Sequence, residues 1–287
     1  MRPFVYERPE TLAEAVGVLA EHGAEARLLA GGTDLIIRLR DGTIQPRVVV
    51  DVKRIAELDA GIHETETGLT IGARTTMTTI ASDERIRQDF TALAEAAAVV
   101  GAVQIRNRAT LAGNICNASP AADTVPALLA FGAVVVAAGP GGTRRIPLDD
   151  LLVRSGVTTL AGDELVTAIE LPRPDVARGS VHLRRTRRRG HDLAAVTIAC
   201  VVRADGRTRI AYGSLGPRPV LVGDDSGLLA DVAAPDAAKA ALLATLFIGA
   251  RPSLRSMRAS PDYRVAMLHL LGLRAVRTAI ERQAAPG

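Results

Sequence analysis

Ile105-Arg106-Asn107-Arg108-Ala109-Thr110-Leu111-Ala112-Gly113-Asn114-Ile115-Cys116-Asn117-Ala118-Ser119-Pro120-Ala121-Ala122-Asp123 is the stretch on which the reading of this chain turns. It gathers Gly, Asn, Thr, Ser and Asp with few large hydrophobes. Such a segment cannot be held by burial of its own side chains. It offers a dense set of backbone and side-chain hydrogen-bonding groups instead, which is what a polyhydroxyl ligand requires. Residues 101 to 123 as a whole show little periodicity and read as a long ordered loop with one helical turn. Loops of that length inside a compact domain are usually functional. The alternative is an irregular connector held by Asx turns and caps.

Upstream lies a second small-residue segment, Leu28-Leu29-Ala30-Gly31-Gly32-Thr33-Asp34-Leu35. Two glycines sit between a short apolar run and a helix-like one. Backbone without Cβ atoms admits a ligand closely, and a helix N-terminus favours an anion. A tight strand-to-helix turn capped by Thr33 or Asp34 explains the same residues equally well. The segment is neither a G-x-G-x-x-G fingerprint nor a Walker A loop.

Around these segments the pattern predicts a β-α-β-α-β unit over about the first 55 residues. Its first helix starts near Pro9 and Thr11, repeats apolar residues at Leu12, Ala15, Val16 and Leu19, and stops at Gly23. Val48 to Val52 reads as a buried strand and Gly68 to Ala73 as another. Residues 75 to 100 read as helical, with Ser82 as an N-cap. A helix and then a strand follow from Pro126 to Val136, a turn over Ala137 to Thr143, and a strand over Val166 to Leu171. Beyond residue 178, Leu193 to Val202 and Arg207 to Leu215 read as a hairpin turned at Asp205-Gly206. Helices are predicted near 235–249 and 261–283, with Pro235 in a first helical position.

Composition narrows the function. The 287 residues are 48% hydrophobic and 23% charged, as in an ordinary globular protein. Cys116 and Cys200 are the two cysteines, too few for an iron–sulfur cluster, which takes four thiolates. So low a count fits a reducing compartment, and no apolar run is long enough to span a membrane. The N-terminus lacks an apolar h-region, so cytoplasmic residence is expected. The formal charge is +4, and the run Arg184-Arg185-Thr186-Arg187-Arg188-Arg189 is basic. With 2% aromatics and no Trp, a stacking platform for nucleic acid can hardly be built, so nucleic acid is not the expected partner. A solvated strand edge with one functional cation is the favoured reading of that run; a docking patch for an acidic partner is the other. The five histidines (22, 63, 182, 191, 269) are scattered, with no metal-ligand spacing. No catalytic acid–base set emerges, and the expectation is no catalytic residue and no metal site.

Taken together, LLAGGTDL, IRNRATLAGNICNASPAADTVPALLA, the TIGA segment at Thr70–Ala73 and the RRxxDxA pattern at Arg188–Ala194 resemble the FAD-binding subunits of molybdenum hydroxylases, a module also built into xanthine dehydrogenase and the medium subunit of aerobic carbon monoxide dehydrogenase. The likeness spans essentially the whole chain. It implies an α+β, vanillyl-alcohol-oxidase-like FAD-binding fold. The subdomains would be 1–55 (α/β), 56–176 (mostly antiparallel) and 177–287 (a C-terminal three-stranded sheet with helices). It also implies FAD in the cleft between the first two, a molybdenum-cofactor large subunit and a 2Fe-2S small subunit as partners, and an external electron acceptor. A stand-alone FAD-dependent oxidoreductase is the alternative.

The resemblance also implies roles. Leu28, Leu29, Ala30, Gly31, Gly32, Thr33 and Asp34 would wrap the pyrophosphate through backbone amides, with the Thr33 hydroxyl. Gly101 and Ile105 would meet the flavin end. Ala109, Thr110, Gly113 and Asn114 would follow at the pyrophosphate and ribityl groups, then Cys116 and Asn117. Asp123 would accept from a sugar hydroxyl, Val166 would flank adenine, and Arg184 would stand at the flavin's polar edge where relatives often carry Lys. The chain departs from the family at Ala112, where many relatives have a second glycine, and at Val100, where xanthine dehydrogenase has a ring.

Overall fold

A computed structural model describes residues 2–188, 190 and 192–284 of the chain. Three parallel strands, β1 (Val5–Glu7), β2 (Ala26–Leu29) and β3 (Val48–Asp51), form the first sheet in the order β1-β3-β2. They are linked by α1 (Leu12–His22) and α2 (Leu35–Arg40). The first helix begins where the Thr11-x-x-Glu14 spacing allows a reciprocal capping box, and it ends at Gly23. Val48, Val49 and Val50 are all buried, as the uninterrupted apolar run requires of a central parallel strand.

A five-stranded antiparallel sheet follows, in the order β4 (Ile62–Thr65), β5 (Gly68–Gly72), β10 (Leu165–Pro172), β6 (Val134–Gly139) and β7 (Gly142–Pro147). Between β5 and β6 run the helices α3 (Met77–Ser82), α4 (Glu84–Asp89), α5 (Thr91–Ala98), α6 (Val103–Arg106), α7 (Leu111–Cys116) and α8 (Thr124–Ala130). After β7 come α9 (Leu148–Leu151) and a small ribbon of β8 (Leu152–Arg154) and β9 (Val157–Thr158).

The chain then builds a third sheet, β11 (Arg178–Arg185), β12 (Val196–Arg203), β13 (Thr208–Gly213) and β14 (Val220–Asp224), in sequential antiparallel order. Helices α10 (Asp236–Leu246) and α11 (Pro261–Ala284) cover one side of it. Strand alternation divides this sheet between two cores. Ala199, Val201 and Ala211 join the core shared by the first two sheets, whereas Ile198, Cys200, Ile210 and Tyr212 join the core beneath α10 and α11. Helix α8 lies where the units meet, with every residue buried, against α5, β12 and β13.

Several local expectations are corrected. The third sheet has four strands rather than three, because Val220 and Val222 pack on the second core while Leu221 packs on the first, which gives the segment the period of a strand. Ser82 does not cap a helix; its hydroxyl donates back to Thr78 and Thr79 carbonyls, and Asp83 caps α4 by accepting from Arg85 and Ile86 amides at 3.0 and 3.2 Å. The segment 101–123 holds two short helices, not one turn. Ala137 to Gly139 belong to β6, so the turn shrinks to Pro140-Gly141. Pro235 is an N-cap, and Pro261 opens its helix instead. Arg189 and His191, within the basic run and the RRxxDxA pattern, lie outside the described residues.

Candidate functional site: a cleft lined by unpaired donors

The loop after β2 sits at the carboxyl edge of the first sheet, where ligand crevices of open α/β sheets form. A Cβ on Gly31 would overlap the Arg108 carbonyl, so this loop and the turn between α6 and α7 touch backbone to backbone. Gly32 holds a φ of +75°, a conformation that side chains beyond glycine resist. Among the described residues, the amides of Gly31, Gly32, Thr33 and Asp34 donate to no protein acceptor. Neither Thr33 nor Asp34 caps α2; Asp34 holds the cap position without a side-chain hydrogen bond and is exposed. The simple capped turn is therefore not what these residues form.

The facing wall is pinned from below. Thr110 pairs with Thr76 in an isolated bridge, Met77 donates to the Ala109 carbonyl at 2.9 Å, and Leu111 donates to Thr75 at 3.1 Å. The Thr110 hydroxyl accepts from the Gly113 amide at 3.1 Å and caps α7. Ala109 and Thr110 are thereby buried, while Gly113 and Cys116 are exposed and Gly101, Ile105, Asn114 and Asn117 are half-buried. Both cysteines are free thiols. Ala118 takes a φ of +46° just beyond α7, a strained backbone of the kind that clusters at ligand sites.

The chain's three asparagines all fall here, at 107, 114 and 117. Each spends its carbonyl oxygen on the protein: Asn107 accepts from Thr78 at 2.6 Å, Asn114 from Thr124 at 2.6 Å, and Asn117 from Arg38 at 2.7 Å. Their amide nitrogens remain free to donate. The Arg38–Asn117 bond also ties α2 to the end of α7 across the cleft.

At the far end stands Asp123, buried. Its Oδ2 accepts from Arg184 Nη1 at 3.0 Å, and its Oδ1 is buried without a hydrogen-bond partner among the described residues. Burial pushes the carboxyl up to about 6 against the opposing pull of Arg184. His182, two residues before Arg184 on the same strand face, lies 4.0 Å from Asp123 and shares a 2.8 Å hydrogen bond with Thr197. Burial, reinforced by Arg184, drives its imidazole down to about 3, so it is neutral.

The structure thus brings together Leu28 to Asp34, Ala109 to Asn117, and the Asp123–Arg184 pair. Val166 stands apart: it is buried in β10, beside a break in the pairing with β6. Sequence reasoning missed Arg38, Thr124 and His182. The confinement of all asparagines to eleven residues was a readable signal for the donor wall, and period-two alternation along β11 placed His182 beside Arg184.

Among the described residues of the basic run, further side chains are engaged by the protein. Arg185 donates to Tyr263 at 2.8 Å, and Arg187 pairs with Asp192 at 3.3 Å. Among the described residues, no helix is long and apolar enough to cross a membrane, and no group of three or more acidic, His or Cys side chains is placed to hold a metal.

A cradle of free amides, a wall of free carboxamide donors and a buried carboxylate oxygen without a partner suit a ligand rich in acceptors at its phosphates and in hydroxyls beyond them. That is the chemistry of a flavin dinucleotide, and fold and cleft define the chain as a flavin-binding protein. Residues 2–174 match the family model described as the FAD binding domain in molybdopterin dehydrogenase, and residues 181–279 match the CO dehydrogenase flavoprotein C-terminal domain. The chain belongs to the family of FAD-binding subunits of molybdenum hydroxylases. It is 32% identical to the carbon monoxide dehydrogenase medium chain of Hydrogenophaga pseudoflava, over 97% of this chain and 98% of that one. It is 35% identical to the xanthine dehydrogenase FAD-binding subunit of Escherichia coli O157:H7, over 75% of each. Its fold matches reconstituted CO dehydrogenase from Oligotropha carboxidovorans with a TM-score of 0.88 at 28% identity, covering 98% of this chain and 99% of that one. Quinoline 2-oxidoreductase from Pseudomonas putida 86 matches with 0.86 at 25% identity, over 99% of both chains. The chain is an oxidoreductase subunit, and its cofactor is FAD.

Proposed function

We propose that this chain is the electron relay of a molybdenum-containing dehydrogenase. It would take electrons from 2Fe-2S clusters on a small partner subunit, fed by a molybdenum-cofactor large subunit, and pass them to an external acceptor such as NAD, a quinone or oxygen. The observation that carries the reading is the donor-lined cleft. It is built to hold a cofactor rich in phosphate and hydroxyl acceptors. Two unpaired thiols support residence in a reducing cytoplasm.

In this reading, the amides of Gly31 to Asp34 and the Thr33 hydroxyl hold the pyrophosphate, with Leu28, Leu29 and Ala30 shaping the approach. Asn114 and Asn117 donate along the ribityl chain, Gly101 and Ile105 border the ring, and Val166 borders adenine. Asp123 orients a hydroxyl or ring N–H through the oxygen that Arg184 leaves free. Arg184 holds a fixed positive charge near the ring's polar edge. Bound FAD supplies the capacity to accept electrons singly and release them in pairs. The subdomain limits 1–55, 56–176 and 177–287 belong to the same proposal.

Purification of the chain with its native partners tests it. The expected result is a complex holding FAD, molybdenum and iron, whose flavin bleaches when the large subunit's substrate is added without air. A chain that purifies alone and turns over an organic substrate on FAD only would overturn the relay assignment in favour of a stand-alone oxidoreductase.

A further inference from the structure

The third sheet has two faces, and the FAD cleft uses one of them. Along β11, Arg184 and His182 face Asp123, whereas Val181 and Leu183 pack into the core beneath α11 and Arg185 donates to Tyr263 of α11 at 2.8 Å. On this second face, at the start of α11, lies an open depression of about 420 Å³. That volume falls within the range of small-molecule sites. Its walls include Arg185, Arg187, Ala195, Arg258, Ser260 and Tyr263.

Positive charge gathers here in excess of the negative charge, which Asp192 supplies to Arg187 and, more weakly, to Arg258. Arg187 is paired with Asp192, which also accepts from the Arg187 amide at 3.0 Å. The Arg258 guanidinium is half-buried and makes no hydrogen bond or ion pair among the described residues. Arg264 is 2% exposed; its Nε donates to the Ala195 carbonyl at 3.0 Å, and its Nη1 is buried without an acceptor. Burial and mutual repulsion act on the same file of side chains: Arg258 is lowered by burial and then by Arg187, and Arg264 by burial and then by Arg258. Buried guanidinium groups are ordinarily paired, since an uncompensated buried charge is strongly unfavourable. Asp192 and the exposed Asp262 are the acidic side chains of these segments, and Asp192 is already engaged.

The geometry points to an anion as the missing counterpart, and we propose that this depression binds a phosphate-bearing small molecule. Guanidinium forks match phosphoryl oxygens in pairs. The Ser260 hydroxyl accepts from the Tyr263 amide at 3.3 Å and keeps its hydrogen to donate. The start of the 24-residue helix α11 adds favourable partial charge. Arg185 and Arg184 project from opposite faces of β11, so the occupancy of this site and that of the FAD cleft are read by separate measurements.

Titration calorimetry of the FAD-loaded chain with inorganic pyrophosphate, inorganic phosphate and AMP tests the proposal, because loading fills the other phosphate cradle. Pyrophosphate is expected to bind once per chain, more weakly as salt rises. Arg258→Gln should weaken it at least about tenfold, the loss of one charge-assisted contact, with FAD content unchanged. Arg258→Lys, which keeps the charge without the fork, should fall between. AMP binding more tightly than phosphate would assign a nucleotide, and equal affinity the phosphoryl group alone. Without added anion, Arg258→Gln should melt at the same or a higher temperature than the parent chain, since it removes an unpaired cation. Absence of pyrophosphate binding, or binding that Arg258→Gln leaves intact, overturns the site. So does a glutamate-rich peptide that binds more tightly than pyrophosphate at equal ionic strength and is lost in the same variant.

Discussion

At the scale of single residues, the cleft depends on groups that the protein leaves unsatisfied. Gly31 shows this through contact: alanine there would drive a methyl group into the Arg108 carbonyl and force the two walls apart. Gly31→Ala is expected to purify with little FAD, and Asn114→Ala with less than the parent, read as the ratio of visible flavin absorbance to protein. Undiminished flavin in both variants would remove the cleft from consideration. Asp123 makes a prediction in pH. Its folded value of about 6 lies above the value near 3.9 of an unfolded chain, so the folded state holds this proton more tightly. The stabilisation is complete below about pH 4 and is lost as pH rises through 6. In the cofactor-free chain, denaturant unfolding should therefore show the parent losing stability relative to Asp123→Asn across that window, by at most about 3 kcal/mol. A difference that stays flat with pH would refute it.

At the scale of elements, the packing of α11 on β11 is the tightest helix–strand contact in the third unit. A Cβ on Gly179 would overlap the Ala279 carbonyl and the Gln283 amide, so the helix backbone rests directly on the strand. Arg282 reinforces the seat by donating to the Ser180 carbonyl at 2.6 Å and pairing with Glu95. Gly179→Ala should lower the melting temperature by several degrees, the effect of about 2 kcal/mol of overpacking, and should make α11 the first site of limited proteolysis. Most elements were legible in the sequence because their periods are clean. The apolar spacing Leu12, Ala15, Val16 and Leu19 gave α1, and the Asp205-Gly206 turn gave the β12–β13 hairpin. Strands β4, β7, β8 and β9 had no reading in the sequence, and three further features were not legible. Strand β14 alternates between two cores, so neither face reads as polar. The helices α6 and α7 are too short to show periodicity. Arg38, on α2, reaches an asparagine 79 residues away, a distance no local pattern reports. The small-residue segments that line the cleft were legible by composition, whereas the pairing of Asp123 with Arg184 depends on a strand of the third sheet 61 residues further on.

At the scale of the whole molecule, the three units do not own separate cores. The first two sheets share one, and the third sheet contributes Ala199, Val201 and Ala211 to it. Helix α8 packs against β12 and β13 as well as α5. A fragment ending at residue 174 would leave these surfaces exposed even though it matches a complete family model. We expect residues 2–174 alone to aggregate or to bind a hydrophobic dye, and the full chain to do neither. A soluble monomeric fragment with native circular dichroism would show that the shared core is dispensable.

The Arg184–Asp123 pair spans the boundary between the second and third units, and in the proposed reading the unpartnered Asp123 oxygen serves the cofactor. A group that completes the coordination of Asp123 therefore strengthens the grip of that carboxylate on the strand that carries Arg184. Thermodynamic reciprocity then requires that seating the third unit raises affinity for the cofactor by the same factor. Loading and closure become a single equilibrium, so a half-assembled chain would shed its flavin before it could reach a partner. Amide exchange along β11 should slow when FAD is added, and it should cease to respond in Arg184→Ala; equal exchange in loaded and unloaded chains would break the linkage.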